Sequence, residues 1–269
     1  MTRTHIFIPD TQCKPGVPMD HLGWAGRYIL ERKPDVIVHA GDHWDMESMS
    51  SWDRGTFQFE GRRYKADVQA GNTGLRMIDE PVKDANRKRK VKYEPDWYLL
   101  GGNHEDRIRR FLETHPEFIG IIGDDLDFRD WTVIPFLTPL EVDGISYCHY
   151  WPNPMTGKPY GGQALTRLKT LGHTYVQGHQ QVYESCIRFV KGHAQRGVVA
   201  GAFYLHDEDY KGVQGNAHWR GLLVFHEVND GAFDIMEVSM DYLCRRYEGV
   251  PLREFLNEKY PDQTGTLWN

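Results

Sequence analysis

The residues of this chain that can do chemistry sit in short polar clusters, each closing an apolar run. "HIFIPDTQ" ends on Asp10 and Gln12, "VIVHAGDHWD" on Asp42, His43 and Asp45, and "WYLLGGNHEDR" on Asn103, His104, Glu105 and Arg107. Farther on, "ISYCHYW" presents His149, and "TYVQGHQQ" presents His179 and Gln181. Carboxylate, carboxamide and imidazole groups together suit divalent cations that take oxygen and nitrogen donors. Seven donors, Asp10, Gln12, Asp42, Asn103, His149, His179 and Gln181, exceed the needs of one tetrahedral ion and suit two ions sharing a carboxylate. Taken singly, each cluster is also ordinary turn chemistry, because Gly-Asp and Gly-Asn end strands in many folds. Five clusters of one type at five strand ends weigh against that plain reading.

Such donors converge only if the runs are strands with a common direction, since ligands of α/β sheets gather outside the carboxyl ends of the strands. The pattern predicts this. "THIFIPD" reads as a strand, "MDHLGWAGRYILERKPD" as a helix with Leu22, Ala25, Ile29 and Leu30 on one face, and "DVIVHAGD" as the next strand, a βαβ unit. Residues from about 50 to 95 are polar and rich in arginine and lysine, and predict a basic, mainly helical surface insertion. "DWYLLGGNHEDRIRRFLETH" predicts strand, turn and helix, "LEVDGISYC" strands around a tight turn, and "GGQALTRLKTLG" a short helix. "GLLVFHEVNDGAFDIMEVSM" predicts a hairpin through Asn-Asp-Gly, followed by a partly helical extension over about 240–269.

A chain of 269 residues with 40% hydrophobic and 26% charged residues can bury a sizeable core. A net charge of -6 argues against coating nucleic acid with the whole surface, though not against a local basic patch. Cys13, Cys148, Cys186 and Cys244 form no CxxC pair, which favours reduced thiols over a zinc knuckle or disulfide framework. No apolar run is long enough for a membrane span, and the first one is too short for a signal peptide, so a cytoplasmic protein without a membrane partner is expected.

In this order, "DTQ", "GDHWD", "GNHED", His149 and "GHQQ" resemble the calcineurin-like metallophosphoesterase superfamily. The match runs from about Thr4 to Gln181, and GDHWD and GNHED are its specific motifs. The combination is also similar to a branch common among bacteriophage-encoded members, for which the host cytoplasm is the expected location. The resemblance implies an α/β fold, a four-layer αββα sandwich of two mixed β-sheets flanked by helices, as one domain over residues 1–269. It implies two divalent ions at the strand tips. Asp42 would bridge them, Asn103, His149 and His179 would complete one site, and Asp10, Gln12 and Gln181 would fall to the other. The chain departs from the family where D-x-H and GHxH become Asp10-x-Gln12 and Gly178-His179-x-Gln181. A neutral amide oxygen is a weaker donor than imidazole, so this half is softened toward hard ions: manganese first, then magnesium, with iron, zinc or nickel after them. His43 lies inside GDxxD but matches no ligand position, and reads as a supporting or surface residue.

By the same resemblance, a metal-activated water attacks the phosphorus of a phosphate ester. His104 would act as general acid, or as a hydrogen-bond donor, at the leaving oxygen. Asp45 and Glu105 would hold ligand and catalytic side chains in place, and Arg107 would contact a phosphate or merely open the following helix. Arg54, Arg62, Arg63, Lys65, Arg76, Lys83, Arg87, Lys88, Arg89, Lys90 and Lys92, with Phe57, Tyr64, Tyr93 and Trp97 near them, form either a grip for nucleic acid or a solvated face. The expected substrate is a phosphodiester, nucleic acid or nucleotide. A phosphomonoesterase, a protein phosphatase, or a weakly active binding protein on the same scaffold are the alternatives.

Overall fold

Two β-sheets packed face to face carry these strand ends in a computed structural model, which describes residues 2–51, 54–208, 211–263 and 265–268. The chain runs β1 (Arg3–Ile8), α1 (Asp20–Arg32), β2 (Val36–His39), α2 (Tyr64–Arg87), β3 (Asp96–Leu100), α3 (Asp106–Thr114) and β4 (Thr132–Ile134). There follow β5 (Leu140–Val142), β6 (Ile145–Cys148), α4 (Ala164–Leu171), β7 (Tyr175–Gln177), β8 (Tyr183–Val190) and β9 (His193–Ala200). The last third adds α5 (Gly212–Asn216), β10 (Gly221–Asn229), β11 (Ala232–Ser239), α6 (Met240–Glu248) and α7 (Leu252–Lys259).

The first sheet has the order β11-β10-β1-β2-β3-β4, and the second β5-β6-β7-β9-β8. β1 to β4 are mutually parallel, while β10 and β11 extend the sheet antiparallel. In the second sheet β6, β7 and β9 are parallel, between antiparallel edge strands β5 and β8.

Alternation along the strands sets the layers. Ile6 and Ile8 of β1 and Ile37 of β2 face a cluster shared with α1, α2, α6 and α7. Phe7, Val36 and Val38, between them in sequence, face Val142, Ile145, Tyr147, Val176 and Val198 of the second sheet. Successive strand residues point to opposite faces, so a sheet covered on both sides needs unbroken apolar runs such as "VIV". Beyond the second sheet, Cys148 and Tyr175 pack on Leu168 of α4. The result is helix, sheet, sheet, helix. Among the described residues no helix is long and apolar enough to cross a membrane.

Two elements differ from the sequence expectation. Most of residues 50–95 is no surface insertion: α2 is the crossover helix from β2 to β3, packed along α1. Its buried face is Val68, Gly71, Leu75, Ile78 and Val82, a stripe at helical spacing among many polar neighbours. Moreover, the dense basic run Arg87–Lys92 begins on the last residue of α2 and precedes β3. It therefore stands at the edge of the sheet opposite the strand tips. The β8–β9 hairpin has no counterpart in the sequence reading. It turns through Lys191 and Gly192, both at positive φ (51° and 84°), the backbone of a type I′ turn with lysine where asparagine is usual.

Candidate metal centre

The site begins with the loops after β2 and β3. Glu105 accepts four backbone N–H bonds, from Asp42 (3.1 Å) and Gly102 (2.9 Å) on one oxygen and from His43 (2.6 Å) and Trp44 (2.9 Å) on the other. One carboxylate thus ties the GDHW loop to the GGNH loop. The approach is close enough that a Cβ on Gly102 would lie 2.1 Å from Asp42 N. Gly178 plays the same part between sheets, since a Cβ there would lie 2.3 Å from Asp10 Oδ1. Gln12, Asp42, His179 and Gln181 all take left-handed backbone angles, with φ of 39°, 47°, 65° and 56°. Non-glycine residues adopt that region at a cost of roughly 1–3 kcal/mol each, and such strain concentrates at functional sites.

Asp42 is the hub. Its Oδ2 lies 3.4 Å from His149 Nε2 and 3.7 Å from His104 Nε2, and its Oδ1 accepts from His104 N at 2.8 Å. His149 Nδ1 donates to Ala40 O at 2.8 Å, which fixes the ring and turns Nε2 into the site, 2.9 Å from Asn103 Oδ1. His179 stacks edge-on to His149, and its backbone N–H donates to Asp10 Oδ1 at 3.0 Å. Donor atoms of Asp42, His149 and His179 all lie within 4.8 Å of one another. Asn103 joins them through His149, so four of the seven predicted donors meet.

The other three donors are less uniform. Asp10 Oδ2 and both amide atoms of Gln12 are buried without a hydrogen-bond partner. Buried polar groups are nearly always satisfied, so orphaned oxygens here fit a pocket that receives a cation. Gln181 Oε1 instead accepts from Tyr204 OH at 2.8 Å, and Lys211 Nζ donates to that hydroxyl at 3.1 Å. His43 is buried, and its Nε2 bonds Gly71 O of α2 at 2.9 Å. It supports the loop from beneath.

Burial opposes every charge in this site, and partners decide the balance. Burial alone would raise Asp42, but the His104 and His149 imidazoles hold its carboxyl well below the usual carboxylate range. Burial pulls His149 down, yet Asp42 outweighs it and lifts the ring to about 9. Burial, helped by the charge on His149, drops His179 to about 4. Burial raises Asp10 to about 6, and burial with Asp42 raises Glu105 to about 7. The proton on His149 is thus the counter-charge of Asp42, and a divalent cation would take its place.

His104 stands beside this hub. Its Nδ1 donates to Asp45 Oδ1 at 2.6 Å and is 2.8 Å from Asp45 O. Despite burial, Asp42 and Asp45 together favour a second proton on the ring. Arg107 braces the same turn, donating to the carbonyls of Asp45 (2.9 Å) and Met46 (3.2 Å), with Nη2 3.1 Å from His104 Nε2.

Sequence reasoning missed a neighbouring cluster. Lys14 Nζ lies 3.4 Å from Asp45 Oδ2, 3.0 Å from Glu47 and 3.2 Å from Glu208, and His206 Nε2 is 2.8 Å from Glu208. Asp45, His206 and Glu208 bring donors within 4.8 Å of each other, but the Lys14 ammonium already lies among them. Burial would discharge it, and Asp45, Glu208 and Glu47 hold it charged. Lys14 follows the first strand tip by only four residues, which was the available signal. Glu208 sits in "DEDY", a stretch given no role from sequence. Asp209 and Tyr210 of that stretch lie outside the described residues.

No family model matches the chain, and no curated protein matches it. A solved structure described only as a crystal structure covers 89% of this chain and 100% of its own length, at 12% identity and a TM-score of 0.40. A likeness at that level carries no argument about activity.

Proposed function

We propose that this chain is a metal-dependent phosphoesterase of the calcineurin-like type that hydrolyses a phosphodiester, acting in a cytoplasm. The observation that carries the reading is the meeting of Asp42, Asn103, His149 and His179, from four strand ends of two sheets, beside the His104–Asp45 pair. Asp42, Asn103, His149 and His179 would hold one divalent cation, manganese first. Asp10 and Gln12, with their unpartnered oxygens, would hold a second more weakly. Bound there, the cations would supply an activated water and offset the charge that grows on the phosphoryl oxygens.

The chain's own residues do the rest. His149 is oriented by Ala40 O and gives up its proton when a cation enters. Glu105 keeps Asp42 and Asn103 in register by holding both loops. Asp45 fixes the His104 ring and stabilises its charged form, so that His104 can deliver a proton or hydrogen bond to the departing oxygen.

A second reading, a binding protein on the same scaffold, draws support from Gln181, whose oxygen is engaged by Tyr204. Hydrolysis of bis-p-nitrophenyl phosphate and p-nitrophenyl phosphate with manganese, then with chelator, separates the two. Metal-dependent turnover favouring the diester is expected. Absence of turnover with every divalent metal tried would leave the binding protein standing. Manganese binding that survives in Asp42→Ala would remove Asp42 from the centre.

A further inference from the structure

A recess of ≈ 400 Å³ opens beside the metal centre, lined by Arg54, Arg107 and Arg110 together with Asn103 and Phe111. Each guanidinium is held from behind. Arg107 donates to the carbonyls of Asp45 and Met46. Arg110 donates to Asn103 O at 3.0 Å and lies 3.3 Å from Asp106 Oδ2. Arg54 sits over the Phe111 ring, 5.8 Å from its centroid. A guanidinium carries five N–H donors in a planar fork, more than these contacts use, and the fork matches phosphate oxygens in pairs. Three such cations around one hollow repel one another until an anion shares it.

The recess is continuous with the proposed chemistry. Asn103 belongs to both, and Arg107 Nη2 reaches to 3.1 Å from His104 Nε2. An anion in the recess would therefore lie next to, and not on, the phosphate under attack. The dense run Arg87–Lys92 cannot serve here, since it begins on the last residue of α2, at the far edge of the sheet.

We infer that this recess binds a second phosphate of the substrate, adjacent to the one hydrolysed. The inference rests on the phosphoesterase reading and narrows it. The preferred substrate carries at least two phosphates, as a nucleic-acid strand or a nucleoside polyphosphate does, and a lone monoester leaves the recess unfilled.

The test compares thymidylyl-thymidine with and without a 5′-phosphate. Binding is followed by calorimetry on the manganese-loaded protein, with the internucleotide bridge of both dinucleotides replaced by a non-hydrolysable methylenephosphonate, so that no turnover intervenes. Wild type should bind the phosphorylated dinucleotide about tenfold more tightly, the scale of a charge-assisted hydrogen-bond pair. In Arg54→Gln, and separately in Arg110→Gln, the ratio should fall to about one. Equal affinities in wild type, or a ratio untouched in both variants, would overturn the inference. Competition by thymidine diphosphate as strong as that of the phosphorylated dinucleotide assigns the second phosphate to a polyphosphate; weaker competition assigns it to a strand. Turnover of both unmodified dinucleotides with manganese is measured apart from binding. Its absence beside a preserved binding ratio would count against the phosphoesterase reading alone.

Discussion

Asp45 accepts the His104 Nδ1 proton at 2.6 Å, while the opposite ring nitrogen lies 3.7 Å from Asp42 Oδ2. The ring spans the gap between Asp45 and the Asp42 carboxylate. Residues that act as a unit give non-additive losses. His104→Ala should lower kcat by about 10²–10⁴-fold, the usual worth of general acid catalysis, with manganese still bound. Asp45→Asn should lower it by about 10-fold or more, and the double variant should be no slower than His104→Ala. Losses that multiply would show the two residues acting apart.

Metal affinity should depend on pH through His149. Asp42 lifts this ring to about 9 against the pull of burial, so between the ordinary histidine range and pH 9 the chelated protein keeps a proton that the unfolded chain has lost. The sign follows. Without metal, this proton stabilises the fold fully below about pH 6.5, and the contribution disappears as pH rises through 9. A cation needs the same nitrogen deprotonated, so manganese affinity should rise up to about tenfold per pH unit from 6.5 to 9. Calorimetry across that range, in two buffers of different ionisation enthalpy, would count the proton released. Affinity flat with pH would rule out His149 as a ligand.

Gln12 should be the residue that weakens the second ion. Its side-chain amide atoms are buried and unpartnered, while its own backbone N–H donates to Asp42 O at 2.9 Å. Gln12→His replaces a neutral oxygen donor with imidazole, and should raise affinity for a second manganese by about tenfold or more. Paramagnetic resonance would detect the pair through Mn–Mn coupling. A spectrum unchanged from wild type at equal metal would show that position 12 faces no ion.

Gly71 should be the most sensitive point of α2. A Cβ there would fall 1.9 Å from Trp44 Cδ1, in the loop that carries Asp42 and Asp45. Gly71→Ala gains about 1 kcal/mol of helix propensity but forces a packed indole to move. A net loss of about 1–3 kcal/mol in urea unfolding is expected, together with weaker manganese binding. A stabilised variant would mean that Trp44 yields freely.

The strands that end at Asp10, Asp42 and Asn103 were readable in the sequence, because runs such as "IFI" and "VIV" are what a doubly covered parallel strand requires. Their convergence was expected from the common strand direction, but the close contact behind it was not, because it depends on Gly178 letting the second sheet's loop touch Asp10 and on Gly102 letting its loop touch Asp42. The role of α2 was hidden by its composition. Val68, Leu75, Ile78 and Val82 keep helical spacing, yet acids, amides and basic residues between them dominate the impression. The β8–β9 hairpin was hidden for another reason: β8 is an edge strand with Ile187 and Phe189 exposed, so its pattern lacks the inward alternation that marks a half-buried strand. Lys14 and Glu208 are almost two hundred residues apart in the chain, and no local pattern links them.

The partner of β1 on one side is β2, a close neighbour in sequence, but on the other it is β10, more than two hundred residues later. The strand that delivers Asp10 therefore leaves the ribosome long before its second neighbour exists. Until Gly221–Asn229 emerges, β1 is an open edge of hydrophobic residues, exposed to pairing with other nascent chains. Truncation before β10 should accordingly give an insoluble product, and the burden on chaperones should ease only once β10 has emerged.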